Sequence, residues 1–402
     1  MDNTKQIDTE ELIKWLKSVV LPKISKITGK SRDNATLEIT VPENCFFLST
    51  VYFAKIKFSN DESISVVIKK PLFANDEEGG MHSKELFHNE VLFYEEVSPN
   101  SDRYPRCFYA YEDPENSKMS SIVTENVETM GFRMCPETSE IPMKYIIAGV
   151  REMAKLHAMG YVMKTNNSGK FFEIVGKIQE ARYLHGEWNE PLVNFVSSRP
   201  INYLRKQNYD PVFCDKMEKH LEYAFETVML DAVKPCEPLA VLCHGDYTRN
   251  NIFYRETESG LDAILIDFAM LRYSSPAIDL STFLYISCSA KDICENFNEI
   301  FSAYHSGLID YLREHGIKEV DCYSYDKVLE DYKRRAMFGY MIALFFIPLQ
   351  RGLVTLDPTT IGTDKFIEFH QAAKEAGGDQ LSKEFADLFI NLRNNGCLSH
   401  VE

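Results

Sequence analysis

Positive charge is scarce in this chain: 44 lysines and arginines stand against 60 aspartates and glutamates, a formal net charge of −16. Nucleic acid and anionic membranes attract basic surfaces, so neither is expected as a main partner, although a local basic pocket for phosphate stays compatible with this balance. Long apolar runs are missing too. The longest, Tyr340–Leu349, is about half the length a bilayer-spanning helix needs. The stretch Met1–Lys30 carries Asp2, Asp8, Glu10 and Glu11 in place of the basic start and unbroken apolar segment of a secretory signal. The ten cysteines form no Cys-x-x-Cys pair and no Cys/His metal spacing, so they are expected as reduced, mostly buried thiols. The Asn-x-Ser/Thr tripeptides at Asn34 and Asn166 are then incidental. The expectation is a soluble, cytoplasmic protein without membrane insertion.

What is present points to a folded chain with more than one core. Hydrophobic residues make up 45% and aromatic residues 12% of the 402 positions, beyond the size at which one hydrophobic core usually suffices. Glu10–Ile24 places Leu12, Ile13, Leu16, Val19, Val20 and Ile24 at helical spacing. Leu37–Val41 alternates as a strand does, and Leu48–Phe58 and Ser63–Lys69 read as two more, joined by a turn at Ser59-Asn60-Asp61. Ser120–Thr124 adds a further strand, followed by Glu125-Asn126-Val127. Successive strands of this kind fit a small antiparallel sheet.

From Ile141 onward the pattern turns helical, in Ile146–His157, Phe171–Trp188, Pro211–Val228, Asn296–His315 and Tyr325–Phe346. Phe338–Leu349 is apolar on nearly all sides, as a central helix or the wall of an apolar pocket would be. His157, among helix-spaced apolar residues, reads as a core histidine. The two regions suggest domains at 1–127 and 128–402, an α+β arrangement with a sheet-based first lobe and a larger, mainly helical second one.

The chemistry concentrates in Val241–Leu280. There His244-Gly245-Asp246 is followed by Asn251, and the apolar run Ala263–Ile266 ends in Asp267-Phe268. Any one of these alone is an ordinary turn residue or strand end. Together, in this order, they match metal-assisted phosphoryl transfer, where the first Asp orients or deprotonates a hydroxyl and the Asn and second Asp hold Mg²⁺. Upstream, Val66–Lys69 is an apolar strand ending in a lysine, and Glu90 sits in the helix-spaced segment Phe87–Tyr94. In a kinase-like lobe such a lysine binds the α- and β-phosphates and such a glutamate pairs with it. Lys70 is the other candidate, and strand alternation sends it to the opposite face from Lys69. The glycine-rich phosphate loop of such lobes has no counterpart. Pro42–Thr50 stands in its place without a glycine, leaving Asn44, Ser49 or Thr50 to offer side-chain hydrogen bonds.

On these residues the chain resembles the ecdysteroid-kinase-like family, also called CHK-kinase-like, of insects and other invertebrates. That family groups with aminoglycoside phosphotransferases and choline kinases, which share a two-lobed protein-kinase-like fold. The resemblance is carried by LCHGDYTRNNIFY and IDFAMLRYSSPAIDLSTFLYIS, with support from FHNEVLFYEEVSP, MAKLHA and FGYMIALFFIPL. It implies ATP and Mg²⁺ as cofactors, with Asp246 as the catalytic residue and Asn251 and Asp267 as metal ligands. Lys69 becomes the phosphate lysine and Glu90 its partner, while the backbone at Glu125 and Val127 would meet adenine. It also makes His244 a support for the loop and Asp279 a helix cap and brace. Arg249 falls within reach of phosphate in some geometries, and the favoured expectation for it is a solvated arginine. The implied acceptor is the hydroxyl of a small lipophilic alcohol, an ecdysteroid or a xenobiotic. A choline-type amino-alcohol kinase and a non-catalytic nucleotide-binding pseudokinase are the alternatives, the latter drawing on the glycine-free loop. A protein substrate is disfavoured because no Ala-Pro-Glu segment follows Asp267.

Overall fold

Leu12, Leu16, Val20, Leu21 and Ile24 are all buried along one side of a helical run. It comprises α1 (Thr9–Trp15), a π-helical stretch Leu16–Val20, and α2 (Leu21–Thr28). The computed structural model describes residues 9–41, 49–59, 62–71, 82–99, 101–113, 119–138, 141–258, 260–357 and 360–401. The described residues of Met1–Asp76 and Ser83–Phe132 form one compact unit, and those of Glu77–His82 and Arg133–Glu402 a second.

In the first unit the apolar side of that run covers a five-stranded sheet in the order β1 (Thr36–Thr40), β2 (Ser49–Lys57), β3 (Ser63–Pro71), β5 (Ser121–Glu125), β4 (Cys107–Tyr111). Every pairing is antiparallel. Tyr52, Ala54 and Ile56 of β2 and Val66 and Ile68 of β3 share the helix-covered face. The period of two along a strand fixes which residues those are. A further helix, α3 (Ser83–Leu92), follows β3. The strand β4 was not expected, and the glycine-free segment Pro42–Thr50 lies outside the described residues except for Ser49 and Thr50, which begin β2. The expected acidic linker Phe73–Ser83 likewise lies outside them, apart from His82 and Ser83.

The second unit is helical around two short ribbons. Its long helix α4 (Met143–Asn166) is followed by α5 (Ser168–Val175), α6 (Asn189–Val196), α7 (Arg199–Lys206) and α8 (Pro211–Leu221). Then come β6 (Val241–Cys243), β7 (Ile252–Thr257), β8 (Gly260–Leu265) and β9 (Arg272–Ser274), pairing β6 with β9 and β7 with β8. The chain closes with α9 (Ala277–Ser287), α10 (Ala290–Glu314), α11 (Tyr325–Arg335), α12 (Met337–Gln350), α13 (Asp364–Glu375) and α14 (Gly378–Asn394).

Every residue of α9 is buried, Asp279, Ser281, Thr282 and Ser287 included. It is crossed by α12 at Gly339, where a Cβ would lie 2.1 Å from the Ser281 carbonyl carbon. Only the missing side chain permits that approach. Among the described residues no helix is long and apolar enough to cross a membrane.

Several expected helices are shorter than their apolar spacing suggested. The one expected over Phe171–Trp188 stops at Val175 with Gly176 as its C-cap, and beyond it the Glu180 carboxylate takes the amides of Ala181, Arg182 and Tyr183 at 2.9, 2.9 and 3.1 Å. A side chain that accepts three successive amides replaces the helical ladder. The helix expected over Pro211–Val228 ends at Leu221 and resumes as a π-helical turn at Phe225–Leu230. Tyr325–Phe346 is divided at Ala336 into α11 and α12.

Candidate active site

The buried strand β6 delivers the chain to His244-Gly245-Asp246. Gly245 has φ +83°, and a Cβ there would stand 1.9 Å from the Met270 carbonyl oxygen. The loop can therefore be this tight only with glycine. Asp279 holds it from below: its carboxylate accepts the His244 amide at 2.7 Å and the Gly245 amide at 2.9 Å. His157 Nε2 lies 3.1 Å from the same carboxylate, and its Nδ1 lies 2.8 Å from the Tyr304 hydroxyl. Burial pushes the Asp279 carboxyl up, but the hydrogen bond and charge of His157, the charge of His244 and the Gly245 amide outweigh it. Asp279 is held below the usual carboxylate range. It makes no cap bond on α9, so its geometry is that of a brace rather than a cap.

His157, Cys243 and Asp279 also bring ligand-type atoms within 4.8 Å of one another. The His157 and Asp279 atoms are committed to the hydrogen bonds just given. The Cys243 thiol, pushed well above its usual range by burial, faces the Ser274 and Ser275 carbonyls at 3.5 and 3.3 Å. This is a satisfied core, with His157 in the core position expected of it.

Above the brace, His244 Nε2 donates to the Ile266 carbonyl at 3.0 Å, and the Asp246 amide lies 3.4 Å from His244 Nδ1. The Ile266 amide donates to the Asn251 carbonyl at 3.0 Å, tying the start of β7 to the end of β8. Asn251 Nδ2 donates to the Asp246 carbonyl at 2.9 Å and to Asp246 Oδ2 at 3.0 Å. Its amide oxygen is then the atom a cation can take. Asp267 has φ +64°, a left-handed conformation unusual outside glycine and tolerated best by Asp and Asn.

Burial first, and then the charge of Asp267, raise the Asp246 carboxyl above its ordinary value, while His244, the Asn251 hydrogen bond and Arg182 pull it down. Two carboxylates near enough to repel, beside an amide oxygen, form a hard oxygen donor set that a divalent cation would relieve. The residues present fit Mg²⁺.

In the first unit, Lys69 Nζ meets Glu90 Oε2 at 2.5 Å, with side-chain exposures of 15% and 5%. Lys70 points the other way, onto the helix-covered face with Val66 and Ile68. There its Nζ reaches Ser121 Oγ at 2.8 Å and stands 4.9 Å from the Trp15 ring centre. Burial lowers its pKa to about 8. The period of two thus separates the candidates, and Glu90 meets Lys69. Ser49 opens β2 opposite Pro71 and is buried. The Glu125 amide is committed to the Arg106 carbonyl at 2.8 Å. Val127 begins a 3₁₀ turn, Val127–Met130, capped by the Asn126 side chain. Arg249 Nη1 donates to the Glu137 carbonyl at 2.9 Å.

One group near Asp246 went unnoticed in sequence. Arg182 is buried, its charge acts on Asp246 and Glu187, and its guanidinium lies 5.8 Å from the Trp188 ring centre. Next to it Tyr183 also feels Asp246, and carries the Arg272 guanidinium on its ring at 4.5 Å. Tyr183 in turn meets Phe338 of α12 edge-on at 5.3 Å. Reading Phe171–Trp188 as one helix hid this cluster; Gly176 was the available hint of a break.

Residues 44–317 match the ecdysteroid kinase-like family. No curated protein matches the chain in sequence. Among solved structures, a Plasmodium vivax ethanolamine kinase is similar at 12% identity and TM-score 0.48, covering 95% of this chain and 91% of its own. A microcompartment-associated aminopropanol kinase is similar at 11% identity and TM-score 0.38, covering 94% and 99%. A glucosamine kinase solved with glucosamine, ADP and inorganic phosphate is similar at 10% identity and TM-score 0.36, covering 88% and 80%.

Proposed function

The chain belongs to the ecdysteroid kinase-like family, and from that premise we propose that it transfers the γ-phosphoryl group of ATP to a hydroxyl of a small lipophilic alcohol, an ecdysteroid or a xenobiotic. The observation that carries this reading is the convergence of Asp246, Asn251 and Asp267, with the Asn251 amide donating to Asp246 and the Asp267 charge felt there.

Asp246 orients the acceptor hydroxyl and takes its proton. The new bond forms between the acceptor oxygen and the γ-phosphorus as the bond to the β–γ bridging oxygen breaks, and ADP leaves. Asn251 and Asp267 hold Mg²⁺, which when bound neutralises charge on the transferring phosphates. Lys69 serves the α- and β-phosphates, kept extended by Glu90. The Val127 amide, in the first turn of a helix where amides lack an intrahelical acceptor, is offered to adenine. Asp279 and His244 keep the loop in the one conformation that places Asp246.

The test is incubation with Mg-ATP and a library of steroid and xenobiotic alcohols, reading a mass gain of one phosphate. Asp246→Asn should lower kcat on any acceptor found by about 10²–10⁴-fold. Full kcat in that variant would remove Asp246 from its role, and absence of any phosphorylated product would sink the reading.

A further inference from the structure

Two tyrosine hydroxyls tie the loop that carries Asp246 to the long helix α4. Tyr247, the residue after Asp246, is fully buried, and its hydroxyl donates to the Gly149 carbonyl at 2.7 Å. Its ring meets Phe283 edge-on at 5.4 Å and His244 edge-on at 5.6 Å. Gly149 leaves the room for this packing: a Cβ there would stand 2.9 Å from the Phe283 ring and 3.1 Å from the Tyr254 hydroxyl. About 12 Å further along the axis of the same helix, His157 makes the second tie. Its Nε2 lies 3.1 Å from Asp279 Oδ2, the oxygen that accepts the His244 amide at 2.7 Å. Its Nδ1 lies 2.8 Å from the hydroxyl of Tyr304 on α10, and His157 and Tyr304 are both fully buried.

We propose that Tyr247 and Tyr304 are positioning residues for Asp246, each acting through its hydroxyl. Tyr247 acts on the backbone of α4 directly, and Tyr304 acts by fixing the imidazole that orients the Asp279 carboxylate. The inference rests on the kinase reading for the part that Asp246 plays. Apolar contact has no preferred direction and lets a ring slide along its neighbours, whereas a hydrogen bond fixes the tip of the ring in distance and angle. A buried imidazole also needs a partner at each nitrogen. Without the Tyr304 oxygen, Nδ1 loses its partner and the ring is free to turn. The carboxylate of Asp279 then loses its fixed orientation, and with it the His244 and Gly245 amides lose theirs. A shift of about 1 Å at a reacting group can cost on the order of 10²-fold in rate, so a loosening that keeps the fold should cost about tenfold.

Tyr247→Phe and Tyr304→Phe each remove one oxygen and keep the ring. Ser197→Ala is the control, because its buried hydroxyl donates to the Leu221 carbonyl at 2.9 Å, away from the loop. Amide hydrogen exchange over residues 241–252 of the full chain, read by mass spectrometry, should quicken in both tyrosine variants and stay at the wild-type rate in Ser197→Ala. With Mg-ATP and the acceptor found in the library, each tyrosine variant should lose about tenfold in kcat at unchanged KM for ATP. Ser197→Ala should keep the wild-type kcat. Unchanged loop exchange in either tyrosine variant, equal quickening in Ser197→Ala, or wild-type kcat in the tyrosine variants would overturn the proposal. Should one tyrosine variant fail to fold, the other decides. Should the wild type phosphorylate no alcohol, loop exchange still decides whether the tyrosines hold the loop, and only the kinase reading falls.

Discussion

Replacing Gly245 by alanine isolates how far the position of Asp246 depends on the loop beneath it. The added Cβ would meet the Met270 carbonyl oxygen at 1.9 Å and its carbon at 2.8 Å. Both are backbone atoms, so no rotamer change relieves the overlap. Real Cβ contacts stop near 3.0 Å, and the loop must therefore open by about 1 Å, a misplacement that can cost on the order of 10²-fold in rate. The left-handed conformation adds roughly 1–2 kcal/mol for any L side chain. Straining the His244 and Gly245 amides away from the Asp279 carboxylate adds about 1.5–3 kcal/mol. Gly29→Ala is the control: it has φ +72° with nothing within 4 Å, so it should lose the conformational part and keep full activity. The measurements are kcat with the acceptor found in the library and urea midpoints for both variants. Gly245→Ala with wild-type kcat, or Gly29→Ala with an equal loss of kcat, would refute the reasoning.

Lys69→Met removes the partner of a buried carboxylate and should cost about 3–5 kcal/mol, together with a fall in kcat/KM for ATP on the order of 10²-fold. Lys70→Met, in its buried site beside Trp15, should leave kcat/KM for ATP unchanged and be neutral to stabilising; steady-state kinetics and melting curves check both. Asp279 is held below its ordinary range, so its ionised form contributes stability that is fully present above the unfolded carboxyl value of roughly 3.9. That contribution is lost as pH falls through the lower folded value. Wild type should accordingly exceed Asp279→Asn by about 2–3 kcal/mol at neutral pH and lose that lead below the unfolded value, as urea midpoints across pH would show. Gly339→Ala should force α9 and α12 apart and cost about 3 kcal/mol, seen as a lower melting temperature with no change in the metal dependence of any turnover.

The order His244, Asp246, Asn251, Asp267 was legible in the chain because the loop is local: a short strand, a turn and a ribbon return to one place within a few tens of residues. Strand alternation likewise announced that Lys69 and Lys70 face opposite sides. It could not say which side holds α3 and which holds the N-terminal helices, since that is decided by packing between elements distant in sequence. The helix boundaries near Val175 and Ala336 were misjudged for a similar reason. Apolar spacing continues through both, while the C-cap at Gly176 and the meeting of α11 with α12 at Ala336 end the ladders.

By itself, then, the sequence determined the order of the candidate residues: a carboxylate, an amide and a second carboxylate, the order expected of phosphoryl transfer, with a lysine and a glutamate upstream. Tertiary structure alone decided that Asp279 braces the loop instead of capping its helix, that Glu90 meets Lys69, and that the Arg272 guanidinium lies on the Tyr183 ring. Each of these is a contact between segments far apart along the chain, and no local period or spacing encodes a partner that only burial and packing bring near.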